Sequence, residues 1–198
     1  MTKHQSLDFM LVGVGGQGTL LISNVLAQVG VRAGFDVKKA EVHGMAQRGG
    51  SVSSHVRWGT EVRSPMIGRA GADYLLAFEK LEVLRYVAML RPGAAVMVGD
   101  MRIPPLSVSS GTDVYPSDEE IRRILGEVTD DVHFVPSVQL AEAAGNARAH
   151  NVVVLGDLSN RVSQIPSKLW LEVLEDMVPP RSIEVNRRAF QLGREAHA

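Results

Sequence analysis

Two stretches of this 198-residue chain combine residue types that can do chemistry. The first, residues 41–52, reads Glu41, Val42, His43, Gly44, Met45, Ala46, Gln47, Arg48, Gly49, Gly50, Ser51, Val52. It is too irregular for a helix and too rich in glycine for a central strand. An imidazole (His43), an amide (Gln47) and a guanidinium (Arg48) stand beside the open backbone of Gly49 and Gly50. Paired glycines permit φ > 0 and let another molecule come close. A fixed guanidinium beside them suits a carboxylate or phosphate, held by two parallel hydrogen bonds. A plain surface loop with a solvated Arg48 is the competing account of the same residues.

The second stretch is Gly13, Val14, Gly15, Gly16, Gln17, Gly18. It follows the apolar run LDFMLVGV (7–14) and precedes a helical pattern over 19–33, whose stripe is Leu20, Leu21, Val25, Leu26 and Val29. Strand, glycine turn and helix open a Rossmann-like βαβ unit. The glycines allow a tight turn, and the helix N-terminus presents free N–H groups to an anion. Gly13, Gly15 and Gly18 also fit G-x-G-x-x-G, and Glu41 falls near the end of the next strand, where an acid would hold a ribose. A nicotinamide or flavin site is therefore the alternative to a phosphate-type anion site, and pure packing of helix on sheet is the third account. Against the dinucleotide, the chain after Glu41 enters the 43–50 loop rather than a simple strand-to-helix turn.

Glu41 and Glu79 are secondary candidates. Glu79 ends the buried strand predicted over 72–79, at the edge where open α/β sheets place their sites. An ordinary first-turn glutamate complementing a helix dipole explains it equally well. His55 and Arg57 share one face of the strand predicted over 51–58, near a sheet edge, and a solvated face is the favoured account.

The elements that must position these residues follow from hydrophobic pattern. Strands are expected over 7–14, 35–42, 51–58, 72–79, 94–99 and 132–135, and helices over 19–33, 81–90, 118–128, 138–145, 167–177 and 181–196. Residues 91–93 (Arg-Pro-Gly) end the helix of 81–90, and 101–115 is a proline- and serine-rich loop. Residues 151–158 (NVVVLGDL) are apolar all round, and periodicity does not choose between strand and helix. The fold class is α/β: a Rossmann-like open, mostly parallel sheet flanked by helices, with a helical C-terminal third, as a single domain over 1–198.

Composition narrows the function. Formal net charge is -1, so no global field draws the chain to nucleic acid or to an anionic membrane. There are no cysteines, hence no thiolate-held cluster, thiolate metal site or cysteine nucleophile on this chain. No apolar run approaches the ~20 residues that span a bilayer, and residues 1–8 are polar. A cytoplasmic protein is expected. His43, His55, His133 and His150 are scattered without metal-ligand spacing, and no nucleophile elbow or Walker lysine is present. The Gly-Asp pairs at 99–100 and 156–157 lack the context of a thiamin diphosphate signature. No reaction centre is visible.

The glycine run 13–18, the stretch 41–52, Ser54-His55-Val56-Arg57, the segments 73–79 and 82–85, 151–156 and the closing Asn186-Arg187-Arg188-Ala189-Phe190 with Gly193 occur in order along nearly the whole chain. Together they resemble the gamma subunit or domain of 2-oxoacid:ferredoxin oxidoreductases, and among these the small (beta) subunit of the indolepyruvate type. The resemblance implies a hetero-oligomer whose large subunit carries thiamin diphosphate, magnesium and iron–sulfur clusters. It implies oxidative decarboxylation of an aryl 2-oxoacid, with electrons passed to ferredoxin and the acyl group to coenzyme A. On this chain it implies a site-completing role, with the loop of His43, Gln47, Arg48, Gly49 and Gly50 facing the partner or the coenzyme A path.

Overall fold

The computed structural model describes residues 6–43 and 49–196. Along the chain lie β1 (Leu7–Val14), α1 (Thr19–Arg32), β2 (Asp36–His43), β3 (Ser51–Gly59), β4 (Ala72–Ala77), α2 (Glu82–Arg85) and β5 (Leu90–Gly99). After them come α3 (Leu106–Ser109), α4 (Asp118–Gly126), β6 (Val132–Val135), α5 (Ser137–Ala144), α6 (His150–Arg161), α7 (Ser167–Met177) and α8 (Ile183–Glu195). Short 3₁₀ turns occupy Val87–Met89, Ala147–Ala149 and Pro180–Ser182.

The sheet runs β2-β3-β1-β4-β5-β6. β1, β4, β5 and β6 pair in parallel, while β3 lies antiparallel to both β1 and β2. The reversal has a simple cause. His43 pairs with Val52, so the β2–β3 connection is too short for a parallel crossover, which needs about a dozen residues or more. The open, mostly parallel α/β sheet expected from the pattern is present, with one reversed strand inserted beside β1.

Each face of the sheet has its own core. One joins Phe9, Leu11, Trp58 and Leu76 to the inner sides of α1, α6, α7 and α8, including Leu26, Val153, Trp170 and Phe190. Phe9 and Trp58 meet with ring centroids 4.6 Å apart, and Trp58 meets Trp170 at 6.2 Å. The other face, Met10, Val12, Leu75, Val96 and Val98, is closed by Val83, Ile121 and Leu125 from α2 and α4. The run 151–158 is helix: all of its residues are buried because α8 crosses it backbone to backbone. A Cβ on Gly193 would stand 2.0 Å from the Val153 carbonyl oxygen, and one on Gly156 would stand 2.2 Å from that of Phe190. Burial on every side explains why periodicity was silent there.

Two expectations are corrected. β3 is not a solvated strand: Ser53, Ser54, His55 and Val56 are buried. α1 packs on one face of it, and the segment after it folds back so that the Ile67 N–H donates to His55 Nδ1 at 3.2 Å. The helix expected over 81–90 is a single turn, α2, followed by a 3₁₀ turn. Residues 90–93 belong to β5, because Leu90 must already pair with Ala72 at the start of β4.

Candidate functional site

Ligands of open α/β sheets lie beyond the carboxyl ends of the strands. Here that end brings the two sequence stretches together. The Gly15 N–H donates to the Gly50 carbonyl at 2.9 Å, which staples the end of the 43–50 loop to the glycine turn. His43, Gly49 and Gly50 are described; Gln47 and Arg48 lie outside the described residues.

The turn is built from inside by Gln17. Its Oε1 accepts from the Val14 N–H at 2.7 Å, and its Nε2 donates to the Phe78 carbonyl at 2.9 Å. Gln17 therefore plugs the strand ends, and its side chain is spent on the protein. Gly13 must be small for the same reason, since a Cβ there would meet Gln17 Oε1 at 2.8 Å. Gly18 stands at φ 79°, and a Cβ on it would lie 2.2 Å from Asn151 Nδ2. α1 then starts with no side-chain cap and no acid in its first turn. Its leading N–H groups retain the partial positive charge that attracts anions.

A second helix start converges on the turn. Asn151, in the first turn of α6, donates from Nδ2 to the Gly18 carbonyl at 3.4 Å. The glycine turn thus stands between two clefts. One, of about 440 Å³, runs between Gly15–Gly18 and Met101, Ile103, Arg148, His150 and Asn151. The other, of about 350 Å³, is bounded by Thr19, Leu20, Glu41, His43 and Ser54. Each wall holds a buried polar atom without a partner among the described residues: His150 Nδ1 in the first and Thr19 Oγ1 in the second. His150 is only 3% exposed and packs edge-on against Phe78. Burial pushes its pKa down to about 4, with Asp100 opposing. At neutral pH it offers an uncharged ring nitrogen, and such an atom left unpaired in the interior costs free energy unless something else bonds to it. Sequence reasoning passed over His150 as one scattered histidine. The available signal was its place at the head of the apolar 151–158 run.

The remaining candidates separate into structural and open ones. Glu41 is half-buried, bound to Lys39 at 2.6 Å, with His43 Nε2 at 3.7 Å from its other oxygen. It sits on β2, and β3 intervenes between β2 and β1. The ribose-binding acid of a dinucleotide fold stands on the strand next to β1, so Glu41 is displaced by one strand, about 4.8 Å. Glu79 is 1% exposed and wholly committed. It accepts from the N–H groups of Glu82 and Ile103 and from the Tyr115 hydroxyl at 2.5 Å. Burial and Glu79 together push the Tyr115 phenol well above its usual range. Glu79 ties three segments of this end together rather than facing a ligand. His55, on β3, is held below its usual pKa by burial and then by Arg57. Arg57 grips Asp8 with two bonds of 2.8 and 2.9 Å at the opposite end of the sheet.

Among the described residues no group of three His, Asp or Glu side chains could hold a metal ion. With no cysteine in the sequence, no residue here fits the thiolate ligation of an iron–sulfur cluster. No helix of the described residues is long and apolar enough to cross a membrane. The described residues define an α/β chain with a glycine turn at the open carboxyl end of its sheet, an architecture that many families share.

Comparison with known proteins specifies which. The family model for pyruvate ferredoxin/flavodoxin oxidoreductase matches residues 8–196. The chain is 40% identical over 191 residues to the indolepyruvate oxidoreductase subunit IorB of Pyrococcus horikoshii, covering 96% of this chain and 95% of that one. Its fold is similar to the keto/oxoacid ferredoxin oxidoreductase gamma subunit of Geobacter sulfurreducens, with TM-score 0.71 at 22% identity, over 96% of this chain and 98% of that one. It is also similar to part of the 2-oxoglutarate:ferredoxin oxidoreductase of Magnetococcus marinus, a structure with 2-oxoglutarate, coenzyme A and succinyl-CoA bound. There the TM-score is 0.72 at 22% identity, over 100% of this chain but only 31% of that one. The chain belongs to the pyruvate ferredoxin/flavodoxin oxidoreductase family, as a subunit of the 2-oxoacid:ferredoxin oxidoreductase type.

Proposed function

We propose that this chain is the small subunit of a cytoplasmic aryl-2-oxoacid:ferredoxin oxidoreductase and completes a site on a larger partner chain. That partner carries thiamin diphosphate with magnesium and the iron–sulfur clusters. The 2-oxoacid, indolepyruvate or a related acid, loses carbon dioxide on the partner. The clusters would supply a path for two electrons to ferredoxin, and coenzyme A would take the acyl group. The cofactor supplies the carbanion chemistry, and the protein positions and shields it.

The observation that carries this reading is the staple between Gly15 and Gly50. It presents the glycine turn and the end of the 43–50 loop as one surface, beside two clefts whose walls each hold a buried polar atom without a partner among the described residues. In this reading Arg48 supplies positive charge to the partner or to coenzyme A, and Gly49 and Gly50 permit close approach. Gly15, Gly16 and Gly18 with the start of α1 receive a phosphate group.

The test is affinity capture of the chain from anaerobic extract of its source. The expected result is a cysteine-rich chain with bound thiamin diphosphate that reduces viologen with an aryl 2-oxoacid and coenzyme A. Recovery of the chain alone, with a stoichiometric nicotinamide or flavin dinucleotide bound, would overturn it in favour of a stand-alone dinucleotide protein. Arg48→Ala should weaken assembly or lower turnover; unchanged assembly together with unchanged kinetics removes Arg48 from the site.

A further inference from the structure

The segment between β5 and α4 forms a strap at the carboxyl end of the sheet. Both of its ends are pinned to one buried carboxylate. Near its start the Ile103 N–H donates to Glu79 Oε1 at 3.0 Å, and at its end the Tyr115 hydroxyl donates to the same oxygen at 2.5 Å. The Lys80 N–H donates to the Met101 carbonyl at 3.1 Å, and the Arg102 guanidinium stands 4.3 Å from the centre of the Tyr115 ring. Between the pins the chain folds on itself. The Ser110 N–H closes the α3 turn on the Leu106 carbonyl, and the N–H groups of Thr112 and Asp113 both donate to the Ser107 carbonyl.

That shape presents apolar groups instead of hiding them. Leu106 and Val114 are 83% and 91% exposed, whereas the other exposed large hydrophobic side chains of the described residues, Leu20, Val31, Val42 and Met66, fall between 46% and 53%. Single exposed apolar residues are ordinary on a surface, but a contiguous patch marks a place where another molecule sits. Here the patch is contiguous. Leu81, Leu84, Pro105, Val108 and Val114 line one groove of about 370 Å³, and Leu106 follows Pro105 directly. The two charged residues of the groove, Arg85 and Asp113, are of opposite sign, so it carries no net charge to select an ion.

The strap is also continuous with the glycine-turn cleft. Met101 and Ile103 line that cleft. Ile103 lies three residues before Leu106, so the two are at most about 11 Å apart along the chain. A stable protein interface covers about 800 Å² on each partner, a patch about 30 Å across. A chain seated over the glycine turn therefore reaches the strap as well. Interfaces between subunits that stay together are the more hydrophobic ones, with charged residues depleted at their centre.

We propose that the strap, with Leu106 and Val114 as anchors, is the docking surface for an apolar face of the large partner chain, a proposal that rests on the reading of this chain as the subunit completing that partner's site. The two side chains enter aliphatic or aromatic pockets of the large chain. Glu79 and Tyr115 hold the strap in shape beforehand, so little ordering is lost on docking.

The experiment titrates the purified thiamin diphosphate-binding large chain with this chain under anaerobic conditions and reads Kd. Leu106→Ser and Val114→Ser are each expected to raise Kd about tenfold or more, the scale of one aliphatic side chain lost from an interface, and the double variant should raise it further. Tyr115→Phe, which removes one pin and keeps the ring, should raise it several-fold. Val31→Ser, in the last turn of α1 away from the carboxyl end, is the control and should leave Kd unchanged. The melting temperatures of the two serine variants should match that of the native chain. A native Kd in the double variant overturns the proposal, as does an equal loss in Val31→Ser or a loss that comes only with a lowered melting temperature. Sedimentation of this chain alone is expected to show a monomer; a dimer that Leu106→Ser dissociates assigns the strap to a second copy instead. If the native chain does not bind the large chain, the subunit reading falls and the docking surface with it. If it binds and the double variant binds equally, only the docking surface falls.

Discussion

The two ends of the sheet are built on opposite plans. At the amino end the charged groups of the central strands are paired with one another. Asp8 takes both arms of Arg57, the Asp8 N–H donates to Asp73 at 2.6 Å, and Asp73 pairs with Arg91. Arg57 also donates to the Ser64 and Met66 carbonyls, so four strands and the segment after β3 are tied in one network. At the carboxyl end α1 starts without a side-chain cap, and the buried His150 Nδ1 and Thr19 Oγ1 have no partner among the described residues. Leu106 and Val114, 83% and 91% exposed, belong to the segment following β5 at this same end. A closed network ties the strands into one arrangement, whereas a buried polar atom without a partner costs free energy.

The largest effect that could break this contrast is the pH response of the open end. His150 has a folded pKa of about 4 against an ordinary 6.5, so the unfolded chain binds a proton that the folded chain refuses. Its contribution to stability is intact above about pH 6.5 and is lost as pH falls toward 4, by up to about 3 kcal/mol. Urea melts from pH 7.5 to 4 should show this slope, and His150→Gln should flatten it. An unchanged slope would mean that the ring is not buried as described.

Next comes the closed end. Arg57→Ala should destabilise the fold by about 2 kcal/mol, because it strands Asp8 beside Asp73 while part of the site remains wet. Assembly with the partner chain and turnover at low temperature should change little. A large loss of assembly with no loss of melting temperature would show that this end, and not the other, is the docking side.

A smaller effect is expected at the turn itself. Gly18→Ala forces an alanine into the left-handed region and toward Asn151, with a cost of about 1–2 kcal/mol. Here the stability loss should be accompanied by weakened ligand or partner binding, unlike Arg57→Ala. The smallest effect should come from Leu106→Ser and Val114→Ser. Both side chains are in solvent, so melting should shift by no more than about 0.5 kcal/mol. A greater loss would mean that they pack within the chain.

Much of this was legible from residue pattern alone. The apolar run of β1, the glycine turn and the amphipathic α1 were readable because each is a local signal, one period or one turn long. So were the helical last third and the mostly parallel sheet. The site was half legible: the glycine turn and the end of the 43–50 loop were singled out separately, and nothing in either stretch says that they touch. Glu79 looked like a site residue at the end of its strand, but the N–H of Glu82 three residues on and two groups distant in sequence, the Ile103 N–H and the Tyr115 hydroxyl, consume its oxygens. His55 looked solvated because a polar residue alternating with small ones reads as a wet face, until the fold-back of Ile67 covers it.

The sequence by itself therefore determined most of the elements, the family resemblance and the exclusion of thiolate chemistry. These depend on residue type, local order and count, and cysteine content does not change on folding. Only the tertiary structure decided that β3 reverses and sets Glu41 one strand away from β1, that Gly50 closes on Gly15, and that His150 is a neutral buried group in a cleft wall. Strand order, burial and the meeting of distant side chains arise from packing across the whole chain. Asn151 and Asn186 come to line one pocket only when α6 and α8 close on each other through the bare backbone of Gly156 and Gly193.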